Sequence, residues 1–483
     1  MIRWLNLLQV LGFFILALAA PLAVALSLSL LNQDEGRVPL GLATAVALVG
    51  GLFLSLALRP ERHEFNLRES TLLVVLSWMA AAGLGALPFY FSPYFPSFTD
   101  SFFESMSGFT TTGATVLAQI ESLPDSLHFW RCLTHWLGGM GIILLGVAIL
   151  PLIGAGSMEL YRAEFSGASS EKLKPRIAET AKALWRIYVA FSLAEYVALR
   201  LVGMDRLDAV CHTFSTMGTG GFSTRAASIE SFQSPQIEMV ITAFMILAGV
   251  NFTQHYRLFV ERRPKAFLGD LEVRSYLLLI LLGTLALAIN VYYPSEWLDW
   301  TELRQSLFQV VSILTTTGFT STNFEAWPPF AQLLLLALMF CGGCTGSTAG
   351  GLKTARIALL MRVVGREFRR MVERRGVFAI RLSQNAVSES TVQSLLNLVY
   401  LAFLLNFGAS MLLTAMGVDV LTAISAVAAT MFNIGPGLGQ VGPAEHYGHL
   451  PSMAKWTLSF CMLSGRLEYY TLLVLLTRAF WRK

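Results

Sequence analysis

The stretch Ser312-Ile-Leu-Thr-Thr-Thr-Gly-Phe-Thr-Ser-Thr322 has a close copy earlier in the chain, Ser107-Gly-Phe-Thr-Thr-Thr-Gly-Ala-Thr115. Two looser copies are Ser215-Thr-Met-Gly-Thr-Gly-Gly-Phe-Ser-Thr224 and Ala429-Thr-Met-Phe-Asn-Ile-Gly-Pro-Gly437. In chain order, we call them the first motif (107–115), the second motif (215–224), the third motif (312–322) and the fourth motif (429–437). They align on one glycine each, at intervals of 108, 97 and 117 residues: Gly113, Gly221, Gly318 and Gly435. Such repetition indicates one structural unit used four times.

The composition around the motifs is that of a membrane protein. Of the 483 residues, 54% are hydrophobic and only 14% are charged, and the mean hydropathy is +0.59. A soluble domain carries roughly 25% charged residues. Five cysteines, all in or beside apolar stretches, do not suggest a disulfide framework. The expected fold is therefore an all-α polytopic membrane protein.

Two apolar runs precede the first motif. Leu5 to Leu31 is too long for the core of a signal peptide, which is 7 to 15 residues or so, and it predicts a retained transmembrane helix. Val38 to Leu58 has the ~20 residues needed to cross a bilayer. Together they predict an N-terminal helical hairpin within residues 1–64.

Each quarter of the remaining chain has a long apolar run, a short run that ends at the motif, and another long run. The predicted units are residues 65–170, 171–268, 269–385 and 386–483. The first long runs are Leu72 to Phe91, Leu184 to Val202, Tyr276 to Val291 and Leu395 to Met416. The last runs are about Leu133 to Leu152, Met239 to Val260, Phe330 to Leu360 and Trp456 to Ala479. The short runs are Phe98 to Phe109, Leu207 to Met217, Leu303 to Leu314 and Leu421 to Phe432.

The short runs are too brief to span a membrane, because a spanning helix needs ~17 residues or more. We therefore predict that they are re-entrant half-helices. Ten spanning segments result, with both termini on one side. Most of the 35 Lys and Arg residues then fall on that side, which makes it the cytoplasmic side. The basic cluster from Lys353 to Arg381 belongs there, and we prefer this interpretation to a nucleic-acid patch.

The motifs have the chemistry of a cation path. A half-helix that stops inside the membrane points the negative end of its dipole inward. Non-helical backbone at that depth must line a water-filled path or be buried in protein, and glycine allows its carbonyls to turn toward one axis. Rings of such carbonyls select potassium in channels. Close helix packing is the alternative, but it does not explain four matched copies. The predicted filter residues are Thr110, Thr111, Thr112, Gly113, Thr219, Gly220, Gly221, Thr315, Thr316, Thr317, Gly318, Asn433, Ile434 and Gly435.

Two other features fall within apolar runs. The middle of the run from Phe330 reads Cys341-Gly-Gly-Cys-Thr-Gly-Ser-Thr-Ala-Gly-Gly351, and each glycine costs ~1 kcal/mol of helix stability. This predicts a broken helix; a small-residue packing face is the alternative, and a metal site at the two cysteines is disfavoured. Arg466 lies in the last run, where a charge is expensive and indicates function. A local pair with Glu468 or a backbone carbonyl is its alternative role.

These motifs resemble the Trk/Ktr family of bacterial potassium uptake proteins, and the N-terminal hairpin favours its Trk H branch. The resemblance covers essentially the whole chain and implies four units around one central pore, with K⁺ as the transported ion and no organic cofactor. It also implies a homodimer in the lipid of the bacterial inner membrane and a cytoplasmic ring of a nucleotide-binding (NAD/ATP-type) regulatory protein. Gating residues implied by it are Gly342, Gly343, Gly346, Ser347, Gly350, Gly351, Lys353 and Arg466. Thr219-Gly220 and Asn433-Ile434 depart from the Thr-Thr pattern, which predicts weaker discrimination against sodium.

The sequence also bears on other classes of function. The sequence has no Walker loop, Rossmann fingerprint or HExxH helix, which disfavours an enzyme. A scaffold for the cytoplasmic partner would leave the four motifs unexplained. An H⁺- or Na⁺-coupled potassium carrier is the stronger alternative, although such carriers commonly contain inverted repeats. Here every motif follows a half-helix from the same side, which favours a channel-like pore.

Overall fold

The computed structural model describes residues 2–57, 65–141, 177–292, 299–373, 376, 378–382 and 385–482. Helices dominate this part of the chain, and its strands are one pair of two residues each, β1 (Arg381–Leu382) and β2 (Asn385–Ala386). Five of its helices are long and apolar enough to cross a membrane, and one bent pair would make a sixth. The expectation of an all-α polytopic membrane protein is confirmed.

The N-terminal hairpin consists of α1 (Trp4–Asn32) and α2 (Arg37–Ala57). Two glycines allow its helices to touch backbone to backbone. A Cβ on Gly12 would lie 2.6 Å from Leu54 Cβ, and a Cβ on Gly51 would lie 2.8 Å from the Leu16 nitrogen. The hairpin packs against α3 and α5, which are defined below.

Four short helices precede the four motifs. Each is capped at its start by a side chain that accepts a backbone N–H of the first turn. The capping residues are Ser97, Asp205, Asp299 and Asp419, in chain order. At 1.5 Å per residue, 12 to 15 residues extend only about 18 to 22 Å. Their bounds lie within three residues of the predicted runs: α4 (Phe98–Phe109), α7 (Arg206–Met217), α12 (Trp300–Leu314) and α16 (Val420–Met431).

A long helix precedes each short one. These are α3 (Leu67–Tyr90), α6 (Ile177–Leu201), α11 (Leu271–Tyr292) and α15 (Glu389–Ala415). Each begins earlier than its apolar run because polar residues supply the first turns. At the start of α3, for example, Asn66 and Glu69 form a reciprocal capping box.

The last apolar run of the second, third and fourth units is divided in the structure. The break predicted after Phe330 is present, between α13 (Pro329–Met339) and α14 (Thr354–Val372), and we call residues 340–353 the intramembrane loop. Single helices over Met239 to Val260 and Trp456 to Ala479 were wrong predictions. The former consists of α8 (Pro235–Ala248) and α9 (Phe252–Phe259), which meet at 99°. The latter stops at the end of α17 (Ser452–Arg466), before α18 (Tyr470–Leu473).

The reasons for these two breaks are local. Asn251 accepts the Thr253 N–H at 2.8 Å and so starts a new helix after Gly249. Glu468 and Tyr469 have φ of +54° and +60°, which no α-helix accommodates. In the first unit, α5 (Asp125–Trp136) continues as a π-turn, Leu137–Gly141. The remainder of the predicted run to Leu152 lies outside the described residues.

The remaining elements are short. They are α10 (Pro264–Gly269), α19 (Arg478–Trp481) and 3₁₀ turns at Ile120–Ser122, Ser228–Phe232, Phe324–Ala326, Gly439–Val441, Tyr447–His449 and Val474–Leu476.

Candidate functional site

The same turn opens all four motifs. In each, the N–H of the residue before the motif glycine donates to the carbonyl five residues earlier, at 2.8 to 2.9 Å. The pairs are Thr112 with Ser107, Gly220 with Ser215, Thr317 with Ser312, and Ile434 with Ala429. The fourth motif, which shares the fewest residues with the others, therefore has the same backbone structure.

The backbone angles repeat as well. The residue two before each glycine has a φ between +53° and +56°, although it is threonine three times and asparagine once: Thr111, Thr219, Thr316 and Asn433. The motif glycines have φ between +78° and +104°. Positive φ in a β-branched residue is a true outlier, and such strain is concentrated at functional sites. The four segments are held in a backbone form that threonine does not adopt by preference.

The motifs form a closed ring in chain order. A Cβ on Gly113 would lie 2.0 Å from the Gly220 oxygen, and one on Gly221 would lie 2.1 Å from the Thr317 oxygen. A Cβ on Gly318 would lie 1.7 Å from the Ile434 oxygen, and one on Gly435 would lie 2.7 Å from the Thr112 oxygen. Each motif glycine thus faces the carbonyl that precedes the next motif's glycine. Only a residue without a side chain fits at any of the four junctions.

A cleft opens onto this ring. Its lining includes all four motif glycines, together with Arg131, Arg225, Glu445 and His446. Burial, and then the charge of the neighbouring His449, lower the pKa of His446. The imidazole is therefore mostly neutral near pH 7, and it adds little positive charge at the opening.

Contacts between neighbouring motifs also join the segments that return from the ring. The first and second are joined where Glu121 accepts the Ala226 N–H at 2.7 Å. The other junctions are Ile229 N–H to Thr320 O at 3.0 Å, Gly439 N–H to Glu325 at 2.5 Å, and Tyr447 N–H to Thr115 O at 2.8 Å. Burial raises the pKa of Glu325, although its bond from Gly439 opposes the shift. These contacts were not predicted from the sequence. The signal that could have indicated two of them is an acidic residue shortly after the motif glycine: Glu121 is eight residues after Gly113, and Glu325 is seven residues after Gly318.

Polar side chains lie at the base of the ring. The hydroxyls of Thr110 and Thr112 are 2.8 Å apart, and those of Thr315 and Thr317 repeat this distance. Asn433 donates to the Thr112 hydroxyl at 2.9 Å, so the asparagine of the fourth motif joins it to the first. Among the described residues, the buried Thr111 hydroxyl and Asn433 Oδ1 have no hydrogen-bond partner. Unpartnered oxygens of this kind suit a cation.

The intramembrane loop lies against the ring. Gly350 N–H donates to the Thr316 hydroxyl at 2.6 Å, and a Cβ on Gly350 would lie 2.3 Å from the Phe432 oxygen. The loop is anchored to the α8–α9 bend through Cys344 N–H to Gly249 O, at 2.8 Å. The structure thus brings the predicted loop residues beneath the motifs. Four of them have positive φ, namely Gly342, Gly346, Gly351 and Lys353.

Arg466 joins the loop to the first unit. It donates to Thr348 O in the loop at 3.0 Å, and to Gly138 O and Gly139 O at 2.5 and 3.1 Å. Glu468 pairs with Arg356, at 2.7 Å. Of the two local alternatives for Arg466, backbone carbonyls are its observed partners. Lys353 donates to Ala349 O within the loop.

Two glycines that allow close packing near the ends of the short helices were also not predicted from the sequence. A Cβ on Gly138 would lie 1.9 Å from the Phe109 oxygen, and one on Gly465 would lie 1.7 Å from the Met431 oxygen. Both oxygens belong to the last residue of a short helix, which is the third residue of its motif. The signal was a glycine inside each last apolar run. Among the described residues, no three His, Cys, Asp or Glu side chains group as a metal site, and Cys341 and Cys344 are free thiols.

These features define a polytopic membrane protein in which four backbone segments close into one ring, and comparison with known proteins identifies its family. The model of the TrkH family, described as cation transport protein, matches residues 41–482. The chain therefore belongs to the TrkH family, and it is a transport protein and not an enzyme.

Its relatives match it from end to end. The Trk system potassium uptake protein TrkH of Salmonella typhimurium is 43% identical over 98% of this chain and 99% of its own length. The Trk system potassium uptake protein TrkI of Halomonas elongata is 36% identical over 100% and 98%. The crystal structure of the potassium transporter TrkH from Vibrio parahaemolyticus superposes with a TM-score of 0.90, at 39% identity and full coverage of both chains.

We expect Gly465→Ala to destabilise the protein, because its methyl group would meet the Met431 carbonyl and backbone there has no room to move. Overpacking of this kind costs typically ~1–3 kcal/mol. Gly408→Ala in α15 is the matched control, since nothing lies within 4 Å of its Cβ position. The melting temperature of the detergent-purified protein should fall for Gly465→Ala and not for Gly408→Ala. Equal melting temperatures would contradict the close contact.

Proposed function

We propose that this protein takes up potassium across the bacterial inner membrane through a channel-like pore, and that the ring of four motifs is its selectivity filter. One observation carries the proposal: each motif glycine faces the carbonyl that precedes the next motif's glycine, around a closed ring. The filter oxygens then come from the backbone of 110–113, 219–221, 315–318 and 433–435. The similarity to potassium uptake proteins along the whole chain supports potassium as the ion.

The electrostatics of the short helices favour a cation at the ring. All four end at the first residues of a motif, so their partial negative charges converge there. Carbonyl oxygens replace the hydration shell of a potassium ion without introducing a full charge. The third and first motifs have Thr-Thr-Thr-Gly, whereas the second and fourth do not. We therefore infer a filter with less strict discrimination against sodium than a ring of four identical segments.

The wider arrangement follows from the same proposal. We assign an N-terminal hairpin (1–64) and four units around the pore (65–170, 171–268, 269–385 and 386–483). The short helices enter from the outside, and both termini are cytoplasmic, which the distribution of Lys and Arg supports.

The gate in this proposal is the intramembrane loop with Arg466. The loop touches the base of the filter at Thr316, and Arg466 connects it to the first unit. The arginine also places a positive charge beneath the filter, which opposes the passage of cations. Opening then requires the loop to move away from both contacts.

Regulation from the cytoplasm completes the proposal. We infer a homodimer and a ring of a nucleotide-binding regulatory protein, both from the resemblance to the Trk/Ktr family. The helix α14 begins directly after the intramembrane loop and is rich in arginine. It therefore offers a direct connection from a cytoplasmic partner to the gate.

The test of this function is ⁸⁶Rb⁺ uptake into liposomes that contain the purified protein, with sodium in competition. Uptake should follow the rubidium gradient and should not change when a proton or sodium gradient is imposed. Uptake that requires either gradient would instead establish a coupled carrier. Liposomes without protein give the background rate.

Gly318→Ser should reduce selectivity more than it reduces membrane insertion. Its side chain would collide with the Ile434 carbonyl at a position where φ is +79°. Gly417→Ser is the matched control, because Gly417 also has positive φ, +90°, but has nothing within 4 Å of its Cβ position. We expect a higher sodium-to-rubidium permeability ratio for Gly318→Ser alone. The same ratio in both variants and the parent would exclude the ring as the filter.

Arg466→Ala should raise the unregulated flux, because it removes the link between the loop and the first unit together with the positive charge. Shortening the segment Gly342 to Gly351 should have the same effect. The control is Arg200→Ala, which removes an exposed arginine that bonds only the Met204 carbonyl among the contacts described. Flux of rubidium into liposomes is the measurement. Flux in the two gate variants no higher than in the parent would count against the gate.

A further inference from the structure

A buried carboxylate supports the first motif from behind. Glu104 lies in α4, nine residues before Gly113, and is 0% exposed. It accepts hydrogen bonds from the Thr115 hydroxyl and the Val116 N–H, both at 2.9 Å. These two residues begin the segment that returns from the ring. Glu104 therefore holds the chain directly after the first motif.

One arginine connects this carboxylate to the second motif. Arg131 lies in α5 and is 1% exposed. Its Nε donates to Glu104 at 2.6 Å, and its Nη1 donates to the Ser223 carbonyl at 2.9 Å. Its guanidinium carbon is 3.6 Å from the centroid of the Phe222 ring, a distance at which cation and ring attract each other. A single planar group thus spans the junction between the first two motifs.

The next turn of α5 continues this support. His135 is four residues after Arg131 and therefore on the same face of the helix. Its ring stacks on Phe222 at 4.0 Å between centroids. A Cβ on Gly220 would lie 2.4 Å from His135 Nδ1, so the imidazole packs directly on the second motif.

The other three motifs have no glutamate at the corresponding place, although Asp208, one helical turn earlier on α7, accepts the Thr224 hydroxyl at 2.6 Å and pairs with Arg225. His212 bonds the Ser223 hydroxyl at 2.9 Å, and Ser425 accepts the Leu438 N–H at 2.9 Å. Gln309 lies 3.5 Å from the Ser321 hydroxyl. Like Glu104, His212 and Gln309 are nine residues before the motif glycine, and Ser425 is ten before it. A charged pair that reaches the neighbouring motif occurs only at the first junction among these four.

We propose that Arg131 and Glu104 are positioning residues that determine ion specificity. They fix the separation of the first two motifs, and so the size of the ring on the side of Thr112 and Gly220. This rests on the proposed role of the ring as the filter. A buried pair suits the task, because losing either partner leaves a desolvated charge and the pair resists separation. The planar fork of arginine can hold Glu104 and Ser223 O together in one fixed geometry, whereas the flexible ammonium of lysine cannot.

The test compares Glu104→Gln and Arg131→Lys with Glu238→Gln in the ⁸⁶Rb⁺ and sodium assay. Glu238 is also a buried ion-pair carboxylate, bonded to Arg304, but it contacts neither motif. Arg131→Lys keeps the positive charge beside the cleft, so a change in it reports geometry and not charge. We expect both Arg131→Lys and Glu104→Gln to raise the sodium-to-rubidium permeability ratio about tenfold, which equals about 1.4 kcal/mol of discrimination. Glu238→Gln should keep the parent ratio.

Two further variants make each outcome decisive. Thr115→Val removes one hydrogen bond to Glu104, and it should shift the ratio in the same direction by a smaller factor, even if the charge variants do not fold. Gly318→Ser tests the filter itself. A raised ratio in Gly318→Ser, with parent ratios in Thr115→Val and in every folded charge variant, would overturn the positioning role alone. A parent ratio in Gly318→Ser would overturn the filter, and with it this inference.

Discussion

The structure depends on one constraint, which is that backbone outside a helix must find polar partners at membrane depth. The motifs meet it partly within themselves, through hydrogen bonds such as Thr112 N–H to Ser107 O, while each glycine packs closely against the carbonyl of the next motif. Hydrogen bonds between the segments that follow neighbouring motifs, such as Ile229 N–H to Thr320 O and Tyr447 N–H to Thr115 O, make the motifs depend on one another. The strain of positive φ at three threonines is maintained by the same mutual packing.

Everything beneath the ring must then allow close approach to it. The last helix of the first and fourth units touches the end of a short helix at Gly138 and Gly465. The third unit places its intramembrane loop there, with Gly350 hydrogen-bonded to Thr316. In the third unit, the helix is therefore interrupted where the chain contacts the ring. The same irregular backbone supplies the carbonyls that hold Arg466.

Two buried cationic side chains near the ring have carboxylate partners. Arg131 is held by Glu104 and Ser223, and Lys455 by Asp100 at 2.5 Å. Lys455 and Asp100 belong to different units, and Arg131 lies at the junction of the first two motifs. Arg466 is different, because its described hydrogen bonds go to carbonyls of two separate units.

The sequence by itself determined the four short helices, because their caps, length and following glycine are all local signals. It also located the break after Phe330, where five glycines occur within eleven residues. The bends at Gly249 and after Arg466 needed the tertiary structure, since one glycine or a charged residue in an apolar run is compatible with a straight helix. The partners of Glu104, Arg131 and Arg466 were likewise decided only in three dimensions. Glu104 bonds a residue on another helix of its own unit, Arg131, whereas Arg131 and Arg466 also reach other units, which the closure of the ring brings together.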